Sequence, residues 1–383
     1  MIPRHVEGYL QSVYRHFPVV FLTGPRQSGK TTLVKALFKN LPYVLLELPD
    51  QQLLAREDPR SFLIKYAKGA ILDEVQHVPE LFSYIQGIVD DDREVRFILT
   101  GSQNFLLNEK ITQSLAGRAG MVTLLPLSLK ELSDKIPATQ YEAWIVRGFY
   151  PELFNRQVPS ELFYPAYVQT YLERDVRSLQ NIASLTQFNL FLKLCAGRTG
   201  QVLNLSALAA DAGVSVNTSK AWLSVLEASY IVFRLQPYYK SFNKRLVKSP
   251  KLYFTDTGLA CYLLGIKSVA QLSTHYALGA LFENFVIAEC YKQRLARGKS
   301  GGLYYWKDNK GTEVDLLVED GNDIKAYEIK AGRTANTSYF KNLIYWNKLN
   351  QNNTQSTVIY GGDLSQDISG CRLISWKEMV SEF

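Results

Sequence analysis

Short apolar runs recur through the first third of the chain, at residues 19–23, 43–46, 70–73, 96–100 and 121–125. Runs of this length, rich in β-branched and aromatic residues, predict buried strands. Between them the period changes. Residues 31–39 and 80–89 repeat their apolar positions every three or four residues, the pattern of an amphipathic helix. Strands alternating with helices predict an α/β domain with a parallel sheet.

After about residue 128 the strand signals stop. Residues 129–185 read as helices, broken by the turn Gly148-Phe149-Tyr150-Pro151. Residues 203–235 have the rhythm of a helix-turn-helix. Ser206 is expected to cap one helix, Gly213 to make the turn and Ser215 to cap a second helix bearing Trp222, Leu223 and Leu226. Strand-like residues 231–235 and 252–254 follow, as the wing of a winged helix would. From about residue 258 a second α/β unit is expected, with a helix at 280–293 and strands at 303–306, 314–318, 325–329 and 357–360.

The first apolar run leads directly into Gly24-Pro25-Arg26-Gln27-Ser28-Gly29-Lys30-Thr31-Thr32, which matches G-x-x-x-x-G-K-[ST]. A strand before it and a helix after it are the context in which that motif cradles phosphate. Glycines let the backbone wrap the anion, and the loop and helix N–H groups point at its oxygens. Lys30 would meet the β- and γ-phosphates, and Thr31 would offer its hydroxyl to Mg²⁺. The run Ala70-Ile71-Leu72-Asp73-Glu74 supplies the second half: Asp73 to hold Mg²⁺ through water and Glu74 to orient or deprotonate the attacking water. The strand end Thr100-Gly101-Ser102-Gln103 makes Thr100 or Ser102 a candidate γ-phosphate sensor, and Arg118, among glycines, a candidate arginine finger towards a neighbouring subunit. A capped loop and a surface arginine are the plain alternatives.

Composition adds limits. The chain has 383 residues, 46% of them hydrophobic, enough for two or three domains with real cores. Its formal net charge of +7 is a weak pointer to nucleic acid. The four cysteines are scattered without metal or redox spacing, so reduced thiols are expected. No signal-peptide layout opens the chain and no apolar run approaches the length of a membrane span, so a cytoplasmic protein is expected.

A second chemical cluster lies near the C-terminus. Residues 313–318 and 325–330 alternate as strands do, and a two-residue turn at Gly321-Asn322 would set Asp315 opposite Glu328, with Lys330 on the same face. By alternation Val314, Leu316 and Val318 would share the other face. Paired carboxylates beside a lysine can hold Mg²⁺ and activate water. A surface hairpin with a cross-strand ion pair is the alternative. The arrangement resembles the PD-(D/E)xK nuclease core, with Glu328-Ile329-Lys330 as the ExK element, Asp315 as the strand acid and Glu283 as a further acid from the preceding helix. No Pro-Asp dipeptide introduces Asp315.

Basic and aromatic residues crowd the expected wing: Lys240, Lys244, Arg245, Lys248 and Lys251, with Tyr238, Tyr239 and Phe242. Asn217, Thr218, Ser219 and Lys220 open the second helix of the helix-turn-helix. These suit contact with DNA, and a helix pair used only for packing is the other reading.

Taken together, the phosphate loop, Leu72-Asp73-Glu74, Thr100-Gly101-Ser102 and Leu115-Ala116-Gly117-Arg118 resemble a prokaryotic AAA-type P-loop ATPase family with an uncharacterised C-terminal region. In the second half, Tyr171-Leu172-Glu173-Arg174-Asp175, Phe254-Thr255-Asp256-Thr257-Gly258-Leu259 and Phe282-Glu283-Asn284 carry the same resemblance. It implies an ATPase core over 1–128, a helical lid over 129–185, a winged helix over 186–257 and a restriction-endonuclease-like domain over 258–383. ATP and Mg²⁺ are the expected cofactors, DNA and a second copy of the chain the candidate partners. A nucleotide-switched binding protein with an inert nuclease fold, and a chaperone-like ATPase, are the alternatives.

Overall fold

Residues 2–101, 115–133, 136, 139–172, 184–239, 247–350, 355–368 and 370–383 are described by a computed structural model. They divide into two units. The first comprises Met1–Leu127 with the short stretches Ala228–Tyr230 and Leu295–Gly298; the second comprises Ser128–Glu227, Ile231–Arg294 and Lys299–Phe383.

In the first unit, strands β1 (Val19–Thr23), β2 (Tyr43–Leu45), β3 (Gly69–Asp73), β4 (Arg96–Gly101) and β5 (Ala119–Thr123) form one sheet in the order β2-β3-β4-β1-β5. Every pairing in it is parallel. Its strands are apolar on both faces because both faces are covered. Val19, Phe21, Leu72, Phe97 and Leu99 pack on one side against Leu81, Phe82, Ile85 and Val89. On the other side Val20, Leu22, Ile71, Ile98 and Val122 pack against Leu10, Val13, Leu33 and Val34. The covering helices are α1 (Glu7–His16), α2 (Lys30–Leu37) and α3 (Leu81–Asp91). All strand C-termini lie at one edge, where ligands of open parallel sheets bind.

The second unit holds helical segments and an eight-stranded sheet in the order β12-β13-β11-β10-β9-β8-β6-β7. Its strands are β6 (Val232–Pro237), β7 (Lys251–Phe254), β8 (Leu303–Lys307), β9 (Glu313–Asp320), β10 (Asp323–Lys330), β11 (Gln355–Tyr360), β12 (Gln366–Ile368) and β13 (Cys371–Ser375). The sheet is mixed, with β10, β11 and β13 parallel and β8, β9 and β10 antiparallel. A division at residue 257 does not follow this sheet, because β6 pairs with β8 at Gln236 and Pro237 and so joins the expected wing to the C-terminal strands.

The two helices expected as a helix-turn-helix are α4 (Leu205–Ala212) and α5 (Val216–Ala228), with Gly213 at φ 67° between them. Ser215 caps α5 through the Thr218 N–H, as expected. The cap of α4 is Asn204, not Ser206: its side chain accepts from Ala207 N at 3.0 Å. Asparagine caps at least as well as serine, and the helix begins one residue before Ser206. Within 129–185 the described residues form short helices, Leu129–Ser133, Tyr141–Arg147, Glu152–Asn155 and Ser160–Tyr167. Glu173, Arg174 and Asp175 lie outside the described residues. No helix among the described residues is long and apolar enough to cross a membrane.

Two sequence motifs of this unit turn out to be structural. Asp256, 1% exposed, caps α6 (Thr257–Leu263) through Leu259 N and also accepts from Phe149 N and the Tyr164 hydroxyl, each within 2.8 Å. Asn284, on α7 (Leu278–Ala296), takes Phe254 N and gives to Phe254 O, so its amide replaces a strand partner for β7. Replacing Asp256 by alanine leaves the Phe149 and Leu259 N–H groups without acceptors, at about 1 kcal/mol or more each, while the Tyr164 hydroxyl keeps the Arg147 carbonyl. Asp256→Ala is therefore expected to lose about 2 kcal/mol or more in urea unfolding followed by circular dichroism. A loss under about 1 kcal/mol would show the cap to be dispensable.

Candidate functional site

At the C-terminal end of β1 the chain turns sharply through Gly24, at φ 147°, where a Cβ would stand 2.0 Å from the Leu124 carbonyl oxygen. Gly29, at φ 95°, precedes α2 and gives it no side-chain cap, so the first N–H groups of α2 are left for another acceptor. Arg4 braces this loop from beneath. Its guanidinium is buried and donates to Ser28 O at 2.8 Å and Leu125 O at 2.7 Å. Lys30 is 6% exposed and donates to Gly24 O and Pro25 O, both at 2.9 Å. Ser28 Oγ is buried without a hydrogen-bond partner. Pro25 is buried, Arg26, Gln27 and Thr31 half-buried, and Thr32 exposed. A buried ammonium, an unpartnered hydroxyl and an uncapped helix start in one loop fit a phosphate chain.

Asp73 closes the site. It ends β3 and is 2% exposed. Because β4 lies between β1 and β3, the tip of β4 stands beside it. Thr31 Oγ1 donates to Asp73 Oδ2 at 2.6 Å, and the Tyr43 hydroxyl to the same oxygen at 2.7 Å. Thr100 Oγ1 and Glu74 N donate to Oδ1. The carboxylate thus meets four donors, about its full acceptor capacity. Thr31 and Asp73 together fit a magnesium ion shared between hydroxyl and carboxylate. Sequence reading missed Tyr43, which it placed only in a strand. A tyrosine at the start of the strand beside the acid's strand was the one available signal.

The other expected site residues are placed differently. Thr100 reaches the site, yet its hydroxyl goes to Asp73. Glu74 has φ 57° and receives a hydrogen bond from Gln76 Nε2, so the turn after β3 fixes its carboxylate. Ser102 lies outside the described residues. Arg118 is not brought to the loop. Its carbonyl accepts from Val19 N at the start of β1, while Gly24 follows the end of β1, roughly 16 Å of strand away. Its guanidinium forks onto Asp90 of α3, with Nε to Oδ1 and Nη2 to Oδ2. That pairing lowers the Asp90 pKa below its ordinary value.

In the second unit, β9 and β10 pair in the expected register, from Asp320 with Asp323 to Leu316 with Tyr327. Beyond that step Asp315 Oδ2 accepts from Ile329 N at 2.8 Å. The β8–β9 ladder shifts here: between the Tyr304–Leu317 and Trp306–Val314 pairs, Asp315 and Leu316 oppose the single Tyr305. Such a bulge re-aims side chains. Val314 therefore joins Leu317 and Ala326 in the core beneath Leu343 and Trp346, which simple alternation does not allow.

Asp315 and Glu328 do come together, bridged by Lys330, whose ammonium lies 3.2 Å from Asp315 and 2.8 Å from Glu328. Asn342 also donates to Glu328 Oε1, while Glu328 Oε2 is buried without a partner. Glu283 goes elsewhere. It accepts from Lys251 at 2.9 Å and from the Tyr253 hydroxyl at 2.5 Å, and Lys251 also pairs with Glu313. Burial raises the Glu283 pKa against the pull of Lys251, and the charge on Asp315 raises it further. The expected metal set Glu283, Asp315 and Glu328 is thus not assembled. Among the described residues no three acids, histidines or cysteines gather as a metal site; Lys330 stands between Asp315 and Glu328, and Lys251 stands at Glu283. Lys251 is 2% exposed and so belongs to this network, not to a basic surface.

Comparison with known proteins agrees with the first unit's geometry. Residues 16–133 match the family described as an AAA domain; residues 138–270 and 278–379 match two domains of unknown function, DUF8612 and DUF4143. The N-terminal region is therefore a P-loop ATPase-like domain. Among solved structures, the Walker-type ATPase PABY2304 of Pyrococcus abyssi is similar at 17% identity and a TM-score of 0.49, over 69% of this chain and 96% of that one. An uncharacterised protein of Haemophilus influenzae is 23% identical over 88% of this chain and 90% of its own length. The uncharacterised Mycobacterium tuberculosis protein Rv2008c and the Mycobacterium bovis protein Mb2031c are each 31% identical over 338 residues, 88% of this chain and 75% of theirs. At that identity and coverage the chain belongs to the same family as these mycobacterial proteins, and its own N-terminal part is an AAA-type P-loop domain.

Proposed function

We propose that the protein binds and hydrolyses Mg-ATP at Gly24–Thr32, and that the nucleotide cycle governs a DNA-binding second unit that does not cut its ligand. The observation that carries the first half is the Asp73 carboxylate, tied to Thr31 of the phosphate loop at 2.6 Å. Lys30 would exchange the loop carbonyls for the β- and γ-phosphates, bringing its charge where negative charge develops. Magnesium, held by Thr31 and Asp73, would neutralise charge on the same phosphates. Glu74, fixed by its backbone turn, is the group that would orient the attacking water.

For the second unit the support is of two kinds. The pair α4–α5 followed by the antiparallel strands β6 and β7 supports a winged-helix reading, and Asn217 and Lys220 are exposed at the start of α5, with Thr218 half-buried beside them. Lys248 and Tyr239 are exposed near the hairpin, whereas Tyr238 packs on Tyr304 and Trp346; Lys240, Phe242, Lys244 and Arg245 lie outside the described residues. The β9–β10 acids resemble a nuclease-like core, and Glu283, paired with Lys251 and not gathered with Asp315 and Glu328, favours a binding module over a cutting one.

Three outcomes are expected. Lys30→Ala should lose phosphate release by roughly 100-fold or more, and Glu74→Gln should lose turnover to a similar degree while still binding ATP; undiminished release by the lysine variant would end the ATPase reading. A labelled DNA duplex should bind with salt-dependent anisotropy, weakened in Lys220→Glu, and stay intact with ATP and Mg²⁺ or Mn²⁺. Cleavage that Asp315→Ala abolishes would instead establish a nuclease.

The third outcome concerns pH. Burial first, and the charge on Asp315 second, push the Glu328 pKa up to about 8 from its ordinary 4.5, against the pull of Lys330. A raised acid holds its proton more tightly folded than unfolded, so its stabilising share is complete below 4.5 and is lost as pH rises through 8. Glu328→Gln should therefore gain stability relative to the parent between pH 5 and pH 9, by roughly 1–3 kcal/mol in urea unfolding. A difference that does not change with pH would contradict that environment.

A further inference from the structure

We propose that Tyr43 is a positioning residue of the ATPase site, whose hydroxyl holds the Asp73 carboxylate in the orientation that receives the nucleotide's magnesium ion. The inference rests on the ATPase reading above and deepens it.

Tyr43 opens β2, the strand beside β3, in a ladder where Leu45 pairs with Asp73. Its side chain runs along the ladder by two residues and donates to Asp73 Oδ2 at 2.7 Å. The four donors on Asp73 fall into two pairs. Thr100 and Glu74 N hold Oδ1, while Thr31 and Tyr43 hold Oδ2. Thr31 is the phosphate-loop hydroxyl, the one expected to turn its lone pair to the ion. Once it does, Tyr43 is the donor left on Oδ2 from this set. A carboxylate held on one oxygen alone can swing about that oxygen; a second fixed donor stops it. Outer-shell donors of this kind commonly tune metal affinity.

A further contact acts on the phenol. Lys35, four residues after Thr31 on α2, sets its ammonium 3.5 Å from the Tyr43 ring centroid. A cation on that face draws electron density from the ring and strengthens the hydroxyl as a donor. One helix turn thus presents Thr31 to the acid directly and Lys35 to it through the tyrosine.

The test uses the full chain and a fluorescent ATP analogue, mant-ATP. Affinity is first read in EDTA, and Mg²⁺ is then titrated at fixed analogue. Tyr43→Phe keeps the ring, its packing and the lysine contact. It is expected to bind the analogue in EDTA as the parent does, within about twofold, and to need about tenfold more Mg²⁺ at the midpoint. Lys35→Met, at an exposed position, should shift the midpoint the same way by about threefold. Equal midpoints for parent and Tyr43→Phe would overturn the role of Tyr43. So would a variant that loses the analogue in EDTA, which would mark a merely structural contact. A parent that shows no Mg²⁺ dependence at all would remove the ATPase reading itself.

Discussion

The Asp73 carboxylate organises the nucleotide end of the first sheet. It is 2% exposed, which alone would make a charge costly, yet it receives two side-chain hydroxyls on one oxygen and a hydroxyl and an N–H on the other. Hydrogen bonds to a charged group are the stronger kind, and four of them offset much of the burial. Each donor comes from a different element: the start of α2, the first residue of β2, the tip of β4 and the turn after β3. The strand order β2-β3-β4-β1 is what brings them within reach. The acid therefore ties the phosphate loop to the two strands that flank β3, and a change at the loop is felt at both.

The second unit solves its charges in the opposite way. There the acids are answered by lysines: Lys251 for Glu283 and Glu313, Lys330 for Asp315 and Glu328. Burial would lower the Lys251 pKa, but the surrounding hydroxyl and carboxylates raise it overall, so that ammonium stays charged. Breaking one member of such a pair leaves an uncompensated buried charge, which costs several kcal/mol. A network of this kind holds β7, α7, β9 and β10 together, and it leaves the two oxygens of Glu328 unequal, one bridged and one without a partner.

Much of this was legible beforehand, because the signals were local. The strand before Gly24 and the helix after it follow from period and motif, and the β9–β10 register follows from one two-residue turn. What was not legible depended on distant pairing. The bulge at Asp315 and Leu316 reflects the β8 neighbour, which local alternation does not encode. Lys251 read as a wing residue because sequence distance hides Glu283, thirty-two positions away. Arg118 sits among glycines, as a mobile finger would, yet the parallel pairing of β1 with β5 puts it at the far end of the sheet. Tyr43 escaped notice because nothing in a strand's pattern says which residue of the neighbouring strand a tyrosine hydroxyl will reach.

The most direct test of the account is calorimetric titration of ATP into the full chain with Mg²⁺ and, separately, with EDTA, for the parent and for Asp73→Asn. The asparagine keeps the size of the side chain and removes its charge. The parent is expected to bind ATP more tightly with Mg²⁺ than without, and Asp73→Asn to lose that difference while retaining metal-free binding. If the two proteins gain equally from Mg²⁺, the carboxylate at the end of β3 is not the group that couples metal to nucleotide, and the central claim fails.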